Sequence, residues 1–355
     1  MPDRGVETAD LKTIQAHAAH AGRVLPVSSI RFILAMWVVI GHFGIPLLVE
    51  QQHGALLQAA RFLRNNAING PAAVIVFFVV SGFCIHFPNR AGLTVRSWKA
   101  YYARRYLRIL IPMTVAVLLA LPLKMQFGLF TDSILWSLLC EEIYYLIYPL
   151  LLQIRDGIGW RNLMSIAWVL AFLTLLTNPH ALNYPSYGPE LNWVLGLPCW
   201  LLGCLLAEKM DKPARAVRTP EIWAWRFGVW VVSVGLSGLT FHTPLRYPWT
   251  LNLFALLSYF WLSREIDYYR DPSRKPHFEG PGEASYSIYL IHTHVMYFLL
   301  LLPLHEGMTA KGEWVWHVVF LAILAPAFYW LVERPSHRFA RTYAKRAAWL
   351  QPARG

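Results

Sequence analysis

The chain has 355 residues, 56% of them hydrophobic and only 15% charged, with a mean hydropathy of +0.38. So little charge excludes a soluble globular protein, which needs more polar surface to stay in solution. The formal charge of +12 is not a nucleic-acid footprint either, because the 32 Lys and Arg are dispersed along the chain instead of gathered on one soluble face.

In chain order, residues 1–27 come first as a polar tail without the charged start, short apolar core and cleavage site of a secretory signal. Ala9 to Ala21 suits a short interfacial helix or no structure at all. Ten apolar runs near the length of a bilayer crossing follow, at about 28–49, 70–88, 107–125, 133–153, 163–178, 189–207, 227–241, 248–263, 284–303 and 313–332. The fifth, seventh and eighth are short for full crossings. A basic stretch, 336–355, closes the chain. The expected fold is all-α: one polytopic integral membrane domain over 28–335, about ten transmembrane helices, and both termini cytoplasmic. Charge placement agrees with that orientation. The outside loops hold only Arg61, Arg64, Lys124, Arg246 and Lys311, and Arg31 sits at the mouth of the first span.

That first span carries two polar groups that lipid tolerates poorly. Arg31 and His42 lie eleven positions apart, so on a helix they leave one face and stand about 16 Å apart along the axis. This spacing puts a charge near a membrane surface and an imidazole about halfway through the hydrocarbon. An ionisable group at that depth needs a polar cavity or a partner. Snorkelling accounts for Arg31 alone, and neutral packing for His42 alone. The aligned pair, with Gly41 and Gly44 leaving room beside the imidazole, favours a pathway from a membrane face to a buried base.

The second span ends in Phe77-Phe78-Val79-Val80-Ser81-Gly82-Phe83, whose small residues suit close helix approach. A basic loop, Arg90 to Arg108, follows. Its Arg105 and Arg108 share a face as the third helix begins, and paired guanidinium forks match phosphate oxygens. Lipid headgroups would satisfy them equally well. The fourth span contains Trp136-Ser137-Leu138-Leu139-Cys140-Glu141-Glu142-Ile143-Tyr144-Tyr145. Its adjacent acids point about 100° apart, so they cannot both face one partner, and Glu141 is i, i+4 from Tyr145. In the ninth, Ser285-Tyr286-Ser287-Ile288-Tyr289-Leu290-Ile291-His292, Tyr289 and His292 share a face. The tenth closes with Glu333-Arg334-Pro335, where proline is expected to end the helix. Cys84, Cys140, Cys199 and Cys204 fall inside spans, and no His spacing suits a metal, so neither a disulfide framework nor a metal is expected.

Taken in order, these segments resemble the membrane-bound acyltransferase-3 family, whose members O-acylate polysaccharides, lipopolysaccharide, Nod factors and some antibiotics. Arg31 through ten residues to His42 is similar to its hallmark. Phe77 to Phe83, Arg105-x-x-Arg108, Trp136 to Tyr145 and Ser285 to His292 are similar to its other motifs. Some members carry a C-terminal SGNH-type domain, and none is expected for this chain. The resemblance implies a multi-pass enzyme of the bacterial cytoplasmic (inner) membrane, moving an acyl group, acetyl in the expected case, from acyl-CoA to a hydroxyl of a cell-surface glycan or glycolipid such as an exopolysaccharide. It implies no permanently bound cofactor, with acyl-CoA as donor substrate. His42 would be the general base, with Glu141 or Glu142 beside it in catalysis. Arg31, Arg105, Arg108, Ser81, Tyr145, Tyr289 and His292 would bind substrates. The rival reading is a transporter or flippase that uses the same buried charges as a proton or substrate relay, although no internal repeat supports it.

Overall fold

The computed structural model describes residues 26–46, 55–90, 95–125 and 134–349. The expected helix at Ala9 to Ala21 and the last six residues lie outside them. Among the described residues there is no strand. In chain order the helices are α1 (Val27–Phe43), α2 (Ala55–Asn66), α3 (Gly70–His86), α4 (Val95–Ala120), α5 (Leu135–Thr177) and α6 (Gly188–Glu208). Then come α7 (Thr219–His242), α8 (Tyr247–Tyr269), the short α9 (Glu279–Glu283), α10 (Ser285–Leu300), α11 (Ala310–Phe328) and α12 (Arg334–Trp349).

A helix covers at least part of each of the ten apolar runs. Five helical stretches among the described residues are long and apolar enough to cross a membrane, namely Gln58–Asn89, Leu135–Thr177, Tyr184–Asp211, Thr219–His242 and Ala310–Ala344. α1 is a shorter apolar helix. Large apolar side chains also cover the outside, with Leu331 77% and Phe227 63% exposed, as expected of a surface that lipid solvates.

α3 is apolar on all sides, and a helix with no polar face must be surrounded. It starts cleanly because the Asn69 side chain accepts from Ala72 N at 3.0 Å and Pro71 needs no hydrogen-bond partner in the first turn. α6 packs directly along it. A Cβ on Gly82 would overlap the Trp200 carbonyl, and one on Gly203 would overlap that of Val79. Two missing side chains thus let the backbones of α3 and α6 touch, the packing role expected of Gly82. α1, α5 and α8 pack around this pair, with α10 against α1 and α11 against α10.

Several boundaries differ from the sequence expectation. α1 stops at Phe43, not near 49, because Gly44 takes φ 70°. His42 therefore lies in its last turn and is exposed, instead of halfway through an unbroken span. The basic segment after α3 is not all loop: Lys99, Arg104, Arg105 and Arg108 stand on α4. α5 joins two expected spans across a kink at Gly159, φ 79°. The seventh and eighth runs become helices of 24 and 23 residues, because their polar ends continue the helix. Pro335 does not end the last one. A π-helical turn, Tyr329–Glu333, leads into α12, where Pro335 falls near the start of a helix that packs on α4.

Candidate active site

The helix geometry gathers residues from six distant stretches around a cavity of about 230 Å³. Its lining includes Arg31 from α1, Ser81 from α3, Arg105 and Arg108 from α4, Glu141 and Tyr145 from α5, and Tyr289 from α10. Seven of the sequence-predicted residues therefore meet in one place. Among the described residues, none of the three guanidinium groups has a carboxylate within ion-pair distance. Three cations face two carboxylates, Glu141 and Glu333, across one pocket with no direct ion pair among the described residues, so the guanidinium forks remain open to an anion.

A directed hydrogen-bond chain fixes one wall. The Tyr145 hydroxyl donates to Glu141 Oε2 at 2.9 Å and lies 2.8 Å from Ser81 Oγ, while Trp200 Nε1 donates to Ser81 Oγ at 3.3 Å. An indole N–H can only donate and an ionised carboxylate can only accept, so the order is Trp200 to Ser81 to Tyr145 to Glu141. Such a chain strengthens each member. Arg105 lies over the Tyr145 ring, with Cζ 5.8 Å from its centroid.

The neighbouring acids part as their 100° separation demands. Glu141 faces the cavity. Both carboxylate oxygens of Glu142 are buried off it, without a hydrogen-bond partner among the described residues.

Three cavity residues come from positions that the sequence reading passed over. Glu333 is completely buried, and its Oε2 accepts from Ser287 N at 3.0 Å and from the Ser287 hydroxyl. His337, one turn on, accepts from Arg108 Nε at 2.9 Å. Tyr286 donates to Ile109 O at 3.1 Å and lines the cavity beside them. The available signal is a carboxylate directly at the end of the tenth apolar run, which the following Arg-Pro makes read as a helix end.

His42 and His292 do not line this cavity; they lie behind Tyr289, whose ring centroid is 5.9 Å from that of His292. His292 Nε2 is 3.1 Å from His42 Nδ1, and His292 Nδ1 is 2.7 Å from Tyr289 O. His42 Nδ1 is also 3.0 Å from Val38 O. Carbonyl oxygens only accept, so in the neutral pair His292 carries its proton on Nδ1 and presents a lone pair at Nε2. His42 Nδ1 then must be the donor, which leaves its Nε2 unprotonated. Neither glutamate has a hydrogen bond to His42; the residue that orients the imidazole is His292.

An all-helical bundle with an apolar exterior and several helices long enough to cross a membrane defines a multi-pass membrane protein, and it holds an arginine-lined cavity beside a paired imidazole. A family model described as an acyltransferase domain, that of the acyltransferase-3 family, matches residues 27–334. The chain belongs to that family and is a membrane acyltransferase. Neither the curated proteins nor the solved structures include a significant match to it.

Proposed function

We propose that this acyltransferase moves an acyl group, acetyl in the expected case, from acyl-CoA to a hydroxyl of a cell-surface glycan or glycolipid, as an inner-membrane protein with about ten crossings and both termini cytoplasmic. The observation that carries the reading is the arginine cavity: Arg31, Arg105 and Arg108 converge there, outnumber the Glu141 and Glu333 carboxylates, and make no direct ion pair among the described residues, which suits a phosphate-bearing donor. At about 230 Å³ the cavity is small for a whole cofactor-sized donor, so only part of the donor is buried there. The remainder extends toward the basic pair of helices α4 and α12.

In the proposed step the acceptor oxygen attacks the thioester carbonyl carbon, since an alcohol at neutral pH is a poor nucleophile without a base. Its proton goes to His42 Nε2, the C–S bond breaks, and the departing CoA sulfur takes the proton back from the imidazolium. His292 positions the base. Glu141 balances the arginines and holds Tyr145 in place, a role supported by its seat in their cavity. The exposure of His42 at the end of α1 supports approach of the acceptor from the opposite side of the bundle to the phosphates.

Transfer from radiolabelled acetyl-CoA into surface glycan tests this. Wild type should label the glycan and release CoA stoichiometrically, and His42→Ala should do neither. Full transfer by His42→Ala would refute the base assignment. Movement of glycan without thioester consumption would establish the carrier reading instead.

A further inference from the structure

A second cavity, of about 760 Å³, lies on the other side of α1 from the arginines. The two cavities share their walls. Arg31 points one way from α1, while Ile30, Ile33, Leu34 and Trp37 line the second cavity at the i, i+3, i+4, i+7 spacing of one helical face. α3 does the same: Phe77 and Ser81 face the arginine cavity, and Ala72, Ala73 and Val76 form the floor of the second. These small side chains on α3 leave the space between α1 and α7 open. Val229, Trp223 and Trp230 of α7 supply the facing wall. The interior is thus aliphatic and aromatic, and it is large enough for a hydrocarbon chain.

The mouth is different. Thr219, Tyr268, Arg274, Lys275 and His277 gather at the end of the bundle where α7 begins and α8 ends. Arg226 lies nearer that end too, but its charge is already cancelled by Glu265, which accepts from Arg226 Nε at 3.1 Å and from Trp261 Nε1 at 3.1 Å. Arg274 is held with its Cζ 4.1 Å from the centroid of the Tyr268 ring and donates to Val217 O at 2.8 Å, with Asp271 at 3.2 Å. Lys275 is exposed and has no ion pair among the described residues, and His277 is exposed beside it. An apolar slot therefore ends in one cation without an ion pair among the described residues, Lys275, beside a guanidinium that is already paired with Asp271.

We propose that this cavity is a binding site for a phosphate-headed membrane lipid, with one hydrocarbon chain lying between α1 and α7 and the phosphate at Lys275. Charge selects the occupant: a neutral lipid or an alkyl chain would fill the slot and leave the Lys275 ammonium unanswered. The site is separate from the arginine cavity, and its occupancy does not depend on any acyl-transfer step.

Native mass spectrometry of the full-length protein in detergent, stripped of lipid and titrated with phosphatidylglycerol or with diacylglycerol of the same chains, tests the proposal. One phosphatidylglycerol should persist at low occupancy of other sites, with diacylglycerol about tenfold weaker or more. Lys275→Glu, on an exposed loop where folding is not at stake, should weaken phosphatidylglycerol about tenfold and leave diacylglycerol unchanged. Ile33→Trp, which adds volume at a partly exposed position facing the slot, should remove the persistent lipid. Equal affinity for the two lipids would overturn the phosphate contact. Retention of lipid unchanged in both variants would mean annular binding elsewhere and overturn the site. Quenching of the cavity tryptophans by a soluble oligosaccharide, undisturbed by lipid, would make the cavity a glycan site and overturn the proposal as well.

Discussion

His292 holds His42 through a direct ring-to-ring contact, Nε2 to Nδ1 at 3.1 Å, across 250 positions of sequence. The carbonyl of Tyr289 behind His292 fixes the proton positions of both rings, and the result is an imidazole whose outward nitrogen is free to accept a proton. If His42 is the base, its removal and the loss of its support should differ in degree. His42→Ala should lower kcat by about 10²- to 10⁴-fold, the usual range for a general base. His292→Leu removes one of the two acceptors for His42 Nδ1, leaving Val38 O, and should lower kcat by a smaller factor, while His292→Gln, which offers an amide oxygen in a similar place, should recover part of it. Steady-state transfer assays on the three variants decide the matter. Equal rates for His292→Leu and His292→Gln would mean that the contact is packing alone.

The two acids of α5 should separate sharply in function. Glu141→Gln removes the ionised end of the chain that runs from Trp200 through Ser81 and Tyr145, and it leaves three arginines less balanced. Transfer should fall at least tenfold, since a hydrogen bond to a charged group is worth about 1.5–3 kcal/mol. Glu142→Gln alters a carboxylate that has no hydrogen-bond partner among the described residues and does not line the cavity. Its activity should stay within about twofold of wild type, and its stability should not drop, because a neutral amide costs less to bury than an unpaired charge. Comparing rates and melting temperatures in detergent checks both halves.

Much of this arrangement was legible in the sequence because membrane burial makes ionisable residues conspicuous. Arg31, Arg105, Arg108 and Glu141 stand out for that reason, and three separate motifs place them in one cavity. Ser81 was harder. It shares a motif with Gly82, and the two split between roles: Ser81 bonds Tyr145, while Gly82 lets α6 approach. The His42–His292 contact was not legible, since pairing across 250 positions leaves no local pattern. Glu333 was misread for a different reason. A π-helical turn keeps the helix going past it, whereas the following Arg-Pro pattern reads as a terminus. The end of α1 is not legible because the apolar pattern runs on through Ile45 and Pro46, whereas the helix stops at Phe43.

The contact of α3 with α6 should be among the least tolerant in the bundle. Gly82→Ala puts a methyl group against the Trp200 carbonyl, where backbone and not a flexible side chain must give way. Overpacking of this kind costs about 1–3 kcal/mol or more. Thermal unfolding in detergent should report a clear loss for Gly82→Ala and for Gly203→Ala. Gly70→Ala provides the contrast: no atom lies within 4 Å of its added methyl, so its melting temperature should match or exceed wild type. An unchanged melting temperature in Gly82→Ala would mean that the helices can part without cost.

Arg108 offers the sharpest separation of donor binding from chemistry. Its Nε is already committed to His337 Nε2, which aims the two terminal nitrogens of the guanidinium, and among the described residues no carboxylate makes a direct ion pair with it. Arg108→Lys keeps the charge but loses both this tether and the planar fork, so phosphate would be held by a mobile point charge. Losing one charged hydrogen bond of about 1.5–3 kcal/mol corresponds to a KM for acyl-CoA raised about 10- to 150-fold. The value of kcat should change little, because the fork grips a part of the donor that does not react. His337→Leu leaves the guanidinium intact but untethered, and should raise KM by a smaller factor. The discriminating measurement is the KM and kcat pair for each variant at fixed salt. A fall in kcat at constant KM would instead place Arg108 at the reacting thioester, and the arginine cavity would then surround the chemistry and not the phosphates.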